Sequence, residues 1–267
     1  MNNIKLLATD LDSTLLTSDG QIPAAFTTYV HALKASGIDV AITSSRPLAT
    51  LRRMFPISGL SFVCDNGGLV YSDGRIIAHN MIESSTQRLM CGFIANQLGA
   101  VPVVSGLDAA YIGRDHAQYA DELSDFFTNV RVVNSLAQLP VPADKVSAYF
   151  PHADSIAHIA AMRGRFAIDY AVNVTGDYLI DLMNAGVTKS GAINTLGEYL
   201  DIANTEMLAI ANGNNDLDLL AAVGYSYAVA NAEPEILQAA SYQTSSNDDG
   251  GVLNVMDQLL RSVALTA

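Results

Sequence analysis

The stretch MLAIANGNNDLDLLAAVG, Met207–Gly224, carries the reading of the fold. An apolar run, Met207–Ala211, stops at Asn212-Gly213-Asn214-Asn215-Asp216, and a pattern with helical spacing follows from Leu217. A strand that hands over to a helix through a polar turn is the building block of an α/β protein. Three amides and a carboxylate at that handover fit a tight turn, and they equally fit a metal or phosphate site.

Other segments repeat the arrangement. IKLLATDLD (Ile4–Asp12) is a short apolar run that ends in acids, and PAAFTTYVHALKASG (Pro23–Gly37) has helical spacing with Pro23 near its start and Gly37 as a stop. IDVAITSSRP (Ile38–Pro47) is a β-branched run ending in hydroxyl residues, PLATLRRMF reads as helix, and LSFVCDNGG as strand then turn. GLVYSDGRIIAHNM alternates around Asp73-Gly74, a hairpin signal. After residue 184 the alternation resumes: TKSGAINTLGEYLD helical, MLAIAN strand, DLDLLAAVG helical, YSYAVANA strand, PEILQAA a short helix, and SSNDDGGVLNVMDQLL an acidic turn before a last helix.

This βαβα order predicts a parallel sheet covered by helices, a Rossmann-like three-layer α/β core. In such sheets the site lies beyond the carboxyl ends of the strands. Four strand ends carry polar clusters that can meet there: Asp10/Asp12, Thr43-Ser44-Ser45-Arg46, Asp65-Asn66 and Asn212–Asp216. Residues 83–183 mix helix-like and strand-like runs without such clusters and read as an inserted α+β domain, leaving 1–82 and 184–267 as the core.

Composition narrows the function. Half of the 267 residues are hydrophobic and 15% are charged, which suits a packed core. A net charge of −13 disfavours nucleic acid and anionic membranes as partners. No apolar segment approaches the roughly 20 residues that span a bilayer. The N-terminal run is too short for a signal peptide, so a cytoplasmic protein, monomeric or weakly dimeric, is expected. Cys64 and Cys91 lack metal-ligand spacing, and the five histidines form no zinc-like pattern.

Asp10 and Asp12 sit two apart, which in continued strand geometry puts both carboxylates on one face. Two like charges that close call for a cation, a shared proton or a division of roles. A solvated turn is the plainer explanation of an isolated pair, and the glycine and glutamate of an EF-hand loop are missing.

DLDSTLL resembles the first motif of the haloacid dehalogenase superfamily, and its Cof-type phosphatases are matched by further segments. AITSSRP resembles their second motif, CDNGGLVYSDGRII their Asn-Gly hairpin, GVTKSGAI their lysine motif, AIANGNNDLDLL their Gly-Asp-x-x-Asn-Asp motif and SSNDDGGVLNVM their C-terminal Asp-Gly-Val segment. Residues 83–183 fall where that family carries its cap domain. The resemblance implies a Mg²⁺-dependent phosphatase acting on a small phosphorylated metabolite, with sugar phosphates among the candidates. It implies Asp10 as the nucleophile that becomes an aspartyl-phosphate, and Asp12 as the acid and base. Lys189 would neutralise Asp10 and the phosphate. Ser44, with Thr43 as the one-register alternative, and Asn215 would bind phosphate oxygens. Asp10, the Asp12 carbonyl, Asn212 and Asp216 would hold the metal or its waters. Arg46 fits a place near the site and a solvated helix start equally well. Tyr111, Arg114, Asp115 and His116 form a candidate substrate-reading loop, for which a solvated loop is the plainer account.

The chain departs from the family pattern at four points: Ser13, Ser45 and Ser190 replace glycines, and Ala211-Asn212 stands where the family has Gly-Asp. Asn212 can ligate but brings no charge, which weakens a hard-cation site. That substitution motivates a rival reading, a phosphometabolite-binding protein with weakened catalysis. A receiver-like phosphoacceptor is disfavoured by the chain length and the insert.

Overall fold

A computed structural model describes residues 3–138 and 141–264. Along the chain run β1 (Leu6–Asp10), α1 (Phe26–Ala35), β2 (Asp39–Thr43), α2 (Leu48–Met54), β3 (Ser61–Cys64), β4 (Leu69–Ser72) and β5 (Arg75–His79). Next come α3 (Ser84–Gln97), β6 (Val101–Gly106), β7 (Ala110–Gly113), α4 (Ala120–Leu123), β8 (Val130–Val133), β9 (Ala143–Tyr149), α5 (Ser155–Phe166), β10 (Tyr170–Thr175) and β11 (Leu179–Asn184). The chain closes with α6 (Lys189–Leu200), β12 (Met207–Ala211), α7 (Leu217–Ala222), β13 (Tyr225–Val229), α8 (Pro234–Ala239), β14 (Tyr242–Thr244) and α9 (Gly251–Ala264).

Two compact units result. The first comprises the chain up to Ser44, Ile57–Ala78 and the chain from Thr188. Its sheet has the strand order β14-β13-β12-β1-β2-β3-β4-β5. The strands from β14 to β3 are parallel, and β4 returns antiparallel on β3. Every residue of β1 and of β12 is buried, as expected of central parallel strands covered on both faces. Helix α9 shows how the covering layer is encoded. Val252, Val255, Met256 and Leu259 recur on one face and are buried, each worth about 1.5–3 kcal/mol. The β4–β5 turn is set by Asp73 and Gly74 at φ +48° and +79°, the left-handed pair that a two-residue hairpin favours.

The central strands have their carboxyl ends on one edge. Register fixes this directly, since Asp10 pairs with Thr43, and Thr9 with Ile210. The polar clusters of the sequence therefore follow neighbouring strands on that edge.

The second unit holds Ser45–Pro56, with α2, and His79–Val187. Its sheet has the order β10-β11-β9-β6-β7-β8, antiparallel except for the β7–β8 pair. One face packs Val104, Val146, Ala148 and Leu182 with Met90, Ile94, Met162 and Phe166 from α3 and α5. The other face carries Val101, Val103, Tyr149 and Leu179 with Leu123 and Phe127. Among the described residues no helix is long and apolar enough to cross a membrane.

Candidate active site

Lys189 is the first residue of α6, where Thr188 caps the helix by accepting from the Gly191 N–H at 3.1 Å. Its ammonium is buried and donates to Asp10 Oδ1 at 2.7 Å and to Asp216 Oδ1 at 2.6 Å. Asp10 ends β1, and Asp216 ends the single 3-10 turn Asn214–Asp216 that follows β12. The other Asp10 oxygen accepts from Thr14 Oγ1 at 2.8 Å. The Asp216 carboxylate also closes its own turn, with Oδ2 accepting from the Gly213 N–H at 3.4 Å. Two buried carboxylates thus share one ammonium.

The electrostatics follow from that count. Burial, then repulsion from Asp216, raises the Asp10 pKa to about 7, against the opposing pull of Lys189 and Thr14. Burial works against the charge on Lys189, yet Asp10 and Asp216 outweigh it and raise its pKa. The surplus negative charge and the hard oxygen donors are what an Mg²⁺ ion seeks, so Asp10 and Asp216 fit such an ion. Among the described residues no three His, Cys, Asp or Glu side chains form a cage, so a metal here would depend on carbonyl, amide or water oxygens as well.

The remaining predicted residues surround this group unevenly. Asn215 is exposed and donates to Asn66 Oδ1 at 3.3 Å, tying the turn after β12 to the one after β3. Asn212 is half-buried, and its backbone carbonyl accepts from the Glu233 N–H at 2.9 Å. Asp12 is exposed. Ser44 is buried, with its N–H bonded to Val63 O and its carbonyl to Asn66 N. Thr43 Oγ1 is buried with no hydrogen-bond partner among the described residues, on the residue paired with Asp10. Of the other candidates, Tyr111 is buried in β7 and bonds Asp108, whereas Arg114 and Asp115 are exposed.

The serines at glycine positions behave differently from one another. Ser13 adopts φ +58°, the left-handed conformation that glycine takes at no steric cost. Ser190 Oγ donates to Asp218 Oδ2 at 2.8 Å, so its added hydroxyl ties α6 to α7.

One set of residues was not apparent from the sequence. The turn after β1, which carries Thr14, is gripped by the distant C-terminal segment. Asn231 Nδ2 donates to Ser13 O at 2.8 Å and Asn247 Nδ2 to Leu16 O at 2.9 Å. Asp248 accepts from the Ser18 N–H at 2.7 Å and from Ser18 Oγ at 2.6 Å. Asn247 N–H donates in turn to Asn231 Oδ1 at 2.9 Å. The sequence marks this segment by the polar run Ser245–Asp249 before the last helix and by the likeness of SSNDDGGVLNVM to a family motif, and neither names the turn after β1 as its partner.

Comparison with known proteins gives a consistent result. The family model of haloacid dehalogenase-like hydrolases matches residues 7–256. The chain is 25% identical to the 5-amino-6-(5-phospho-D-ribitylamino)uracil phosphatase YbjI of Escherichia coli (strain K12), covering 98% of both chains. It is 22% identical to a phosphoglycolate phosphatase of Methanothermobacter thermautotrophicus, over 96% of this chain and 99% of that one. Among solved structures, SMU.1108c from Streptococcus mutans UA159 superposes with a TM-score of 0.85 at 29% identity, covering 97% of this chain and 99% of the other.

Proposed function

Since the chain belongs to the haloacid dehalogenase-like hydrolases, we propose that it is a Mg²⁺-dependent phosphatase that cleaves a small phosphorylated metabolite through an aspartyl-phosphate on Asp10. The observation that carries this reading is the buried Asp10–Lys189–Asp216 group, with Nζ at 2.7 and 2.6 Å from the two carboxylates. The phosphatase names of the relatives support the reaction class.

In this reading Asp10 attacks phosphorus, an Asp10 O–P bond forms, and the bond from phosphorus to the leaving oxygen breaks. Asp12 gives that oxygen its proton. A water then attacks the phosphoryl group, Asp12 takes the water proton, and inorganic phosphate leaves with the Asp10 carboxylate restored. Thr14 and Lys189 each hold one Asp10 oxygen, so the carboxylate does not rotate freely before attack. Lys189 also balances the charge of the phosphate. Ser44 and Asn215 donate to phosphate oxygens. Mg²⁺, held by Asp10, Asp216, the Asp12 carbonyl and Asn212, would neutralise charge between carboxylate and phosphate. Residues 83–183 act as the cap that selects the rest of the substrate.

Phosphate release from a panel of phosphorylated sugars, phosphorylated acids and an aryl phosphate, with Mg²⁺ and with chelator, tests the reading. Turnover on at least one substrate that is abolished by Asp10→Asn supports it. Equal release by wild type and Asp10→Asn on every substrate refutes it. Asn212 favours the second reading, a binder with weakened turnover, which predicts tight phosphometabolite binding without measurable release.

A further inference from the structure

The second unit contains a cavity of about 350 Å³ between α2 and the segment Ser124–Thr128. That volume is at the small end of ligand pockets and suits a small metabolite. Thr50, Arg53 and Met54 line it from α2, and Asp125, Phe126 and Thr128 from the facing segment. The two walls are tied together, because the Thr128 N–H donates to Thr50 Oγ1 at 3.2 Å. The Phe126 ring is braced by Tyr149 and Tyr178, with ring centres at 5.9 and 5.8 Å.

Arg53 and Asp125 are opposite charges on one cavity, yet they form no ion pair with each other or with any other described residue. Exposed charges elsewhere in the chain do pair, Arg131 with Asp108 at 2.9 Å and Arg261 with Asp257 at 2.8 Å. Arg53 uses one donor on Thr128 O, at a long 3.5 Å. A guanidinium has five such donors in a planar fork that matches a carboxylate. Thr50 is buried, and while its hydroxyl accepts from Thr128, its own proton has no acceptor among the described residues. Arg46 also lines the cavity, but it has other interactions, and its donors are not counted.

A cation and an anion held apart around one cavity, with Met54 and Phe126 as apolar wall, match a zwitterion. We propose that the cavity binds a free α-amino acid. Arg53 and the Thr50 hydroxyl donate to its carboxylate, Asp125 accepts from its ammonium, and Met54 and Phe126 pack its side chain. A simple anion would face Asp125 as a like charge, and a simple cation would face Arg53 in the same way. Every residue used lies in the second unit, so the site is independent of the phosphatase reading.

Calorimetric titration of the full-length protein with glycine, L-leucine, L-phenylalanine and L-glutamate tests the proposal. At least one is expected to bind. Arg53→Gln and Asp125→Asn are each expected to weaken that binding about tenfold or more, the size of one lost charge-assisted bond. Both side chains are exposed, and the melting temperature of each variant without amino acid checks its folding. Wild type supplies a second measurement that needs no variant. The analogues of the bound amino acid without the ammonium or without the carboxylate, isocaproate and isoamylamine in the case of L-leucine, are expected to bind at least about tenfold more weakly than the amino acid itself. Failure of all four amino acids to bind at millimolar concentration overturns the proposal. So does an affinity that holds within about twofold in either folded variant, by the same measure of one charged contact. A carboxylate analogue that binds as tightly as the amino acid also overturns it, and makes the cavity a plain anion site.

Discussion

Lys189 reaches Asp10 across 179 residues of chain, Nζ to Oδ1 at 2.7 Å, with both side chains buried. The bond joins the start of α6 to the end of β1, and it couples the fold to the proposed chemistry. Lys189→Met should therefore cost about 3–5 kcal/mol in metal-free protein, because Asp10 and Asp216 are left buried without a counter-charge. Urea unfolding with chelator and with Mg²⁺ checks this. The loss should shrink in Mg²⁺ if the cation takes over the compensation. An equal loss in both conditions would show that the metal does not sit between the two carboxylates.

Asp10 sets the direction of the pH dependence. Its folded pKa, about 7, lies above the ordinary 3.8, so between those values the folded state binds more protons than the unfolded chain. Stability contributed by Asp10 is therefore greatest below the lower value and declines as pH rises through the higher one. Melting temperatures in metal-free buffer from pH 4 to pH 8 should show this decline, and Asp10→Asn should flatten it. A slope that survives the substitution would assign the effect elsewhere.

The grip of Asn231, Asn247 and Asp248 on the turn after β1 predicts a separation of kcat from KM. Asn247 is buried and its amide holds Leu16 O. Asn247→Ala should cost about 1–3 kcal/mol by leaving that carbonyl unpaired. It should also lower kcat more than KM, since Thr14, on the same turn, fixes one Asp10 oxygen. A variant with lowered Tm and unchanged kcat would make the grip purely structural. Asp248 gives the grip a pH limit. The Ser18 bonds lower its pKa, so its contribution holds at neutral pH and is lost as pH falls through that lowered value.

Gly67 places Lys189 by allowing close approach. It has φ +106°, and a Cβ there would stand 2.2 Å from Thr188 O, the residue before Lys189. Gly67→Ala should cost about 1–3 kcal/mol from backbone strain alone. It should also reduce turnover by shifting the start of α6. Equal kcat in the variant, measured below its melting point, would separate the turn from catalysis.

What was legible in the sequence was local. The β-branched runs, the Gly37 stop and the Asp73-Gly74 hairpin each state their conformation within a few residues, and the helix and strand readings followed. The polar ends of β1, β2, β3 and β12 also declared a shared edge, because parallel strands in one sheet bring their carboxyl ends together. The illegible part depends on long-range packing. Nothing local marks Asn231 and Asn247 as partners of a turn more than two hundred residues earlier. Strand β14 is a three-residue edge strand and too short to carry a period. The pairing of Ser190 with Asp218 depends on how α6 meets α7. Nor does the pattern of PLATLRRMF reveal that α2 belongs to the second compact unit.

Asn212→Asp separates the two proposed readings, a competent phosphatase and a weakened one. It follows β12, where its backbone is fixed by the bond from Glu233 N–H to its carbonyl, so a substitution of its side chain need not move the turn. If position 212 joins the proposed site, Asn212→Asp adds a carboxylate to Asp10 and Asp216, which already share one ammonium. In metal-free protein the added repulsion should lower the melting temperature and push the Asp10 titration higher still. In the proposed Mg²⁺ site the same charge would serve as a ligand, and affinity measured by calorimetry should rise about tenfold or more, about 1.4 kcal/mol. If kcat at saturating Mg²⁺ rises with it, the amide has been limiting turnover and the weakened reading gains. If Mg²⁺ binds more tightly while kcat at saturation stays at the wild-type value, the neutral oxygen already supports the full reaction, and Asn212 only sets the Mg²⁺ concentration at which the enzyme works.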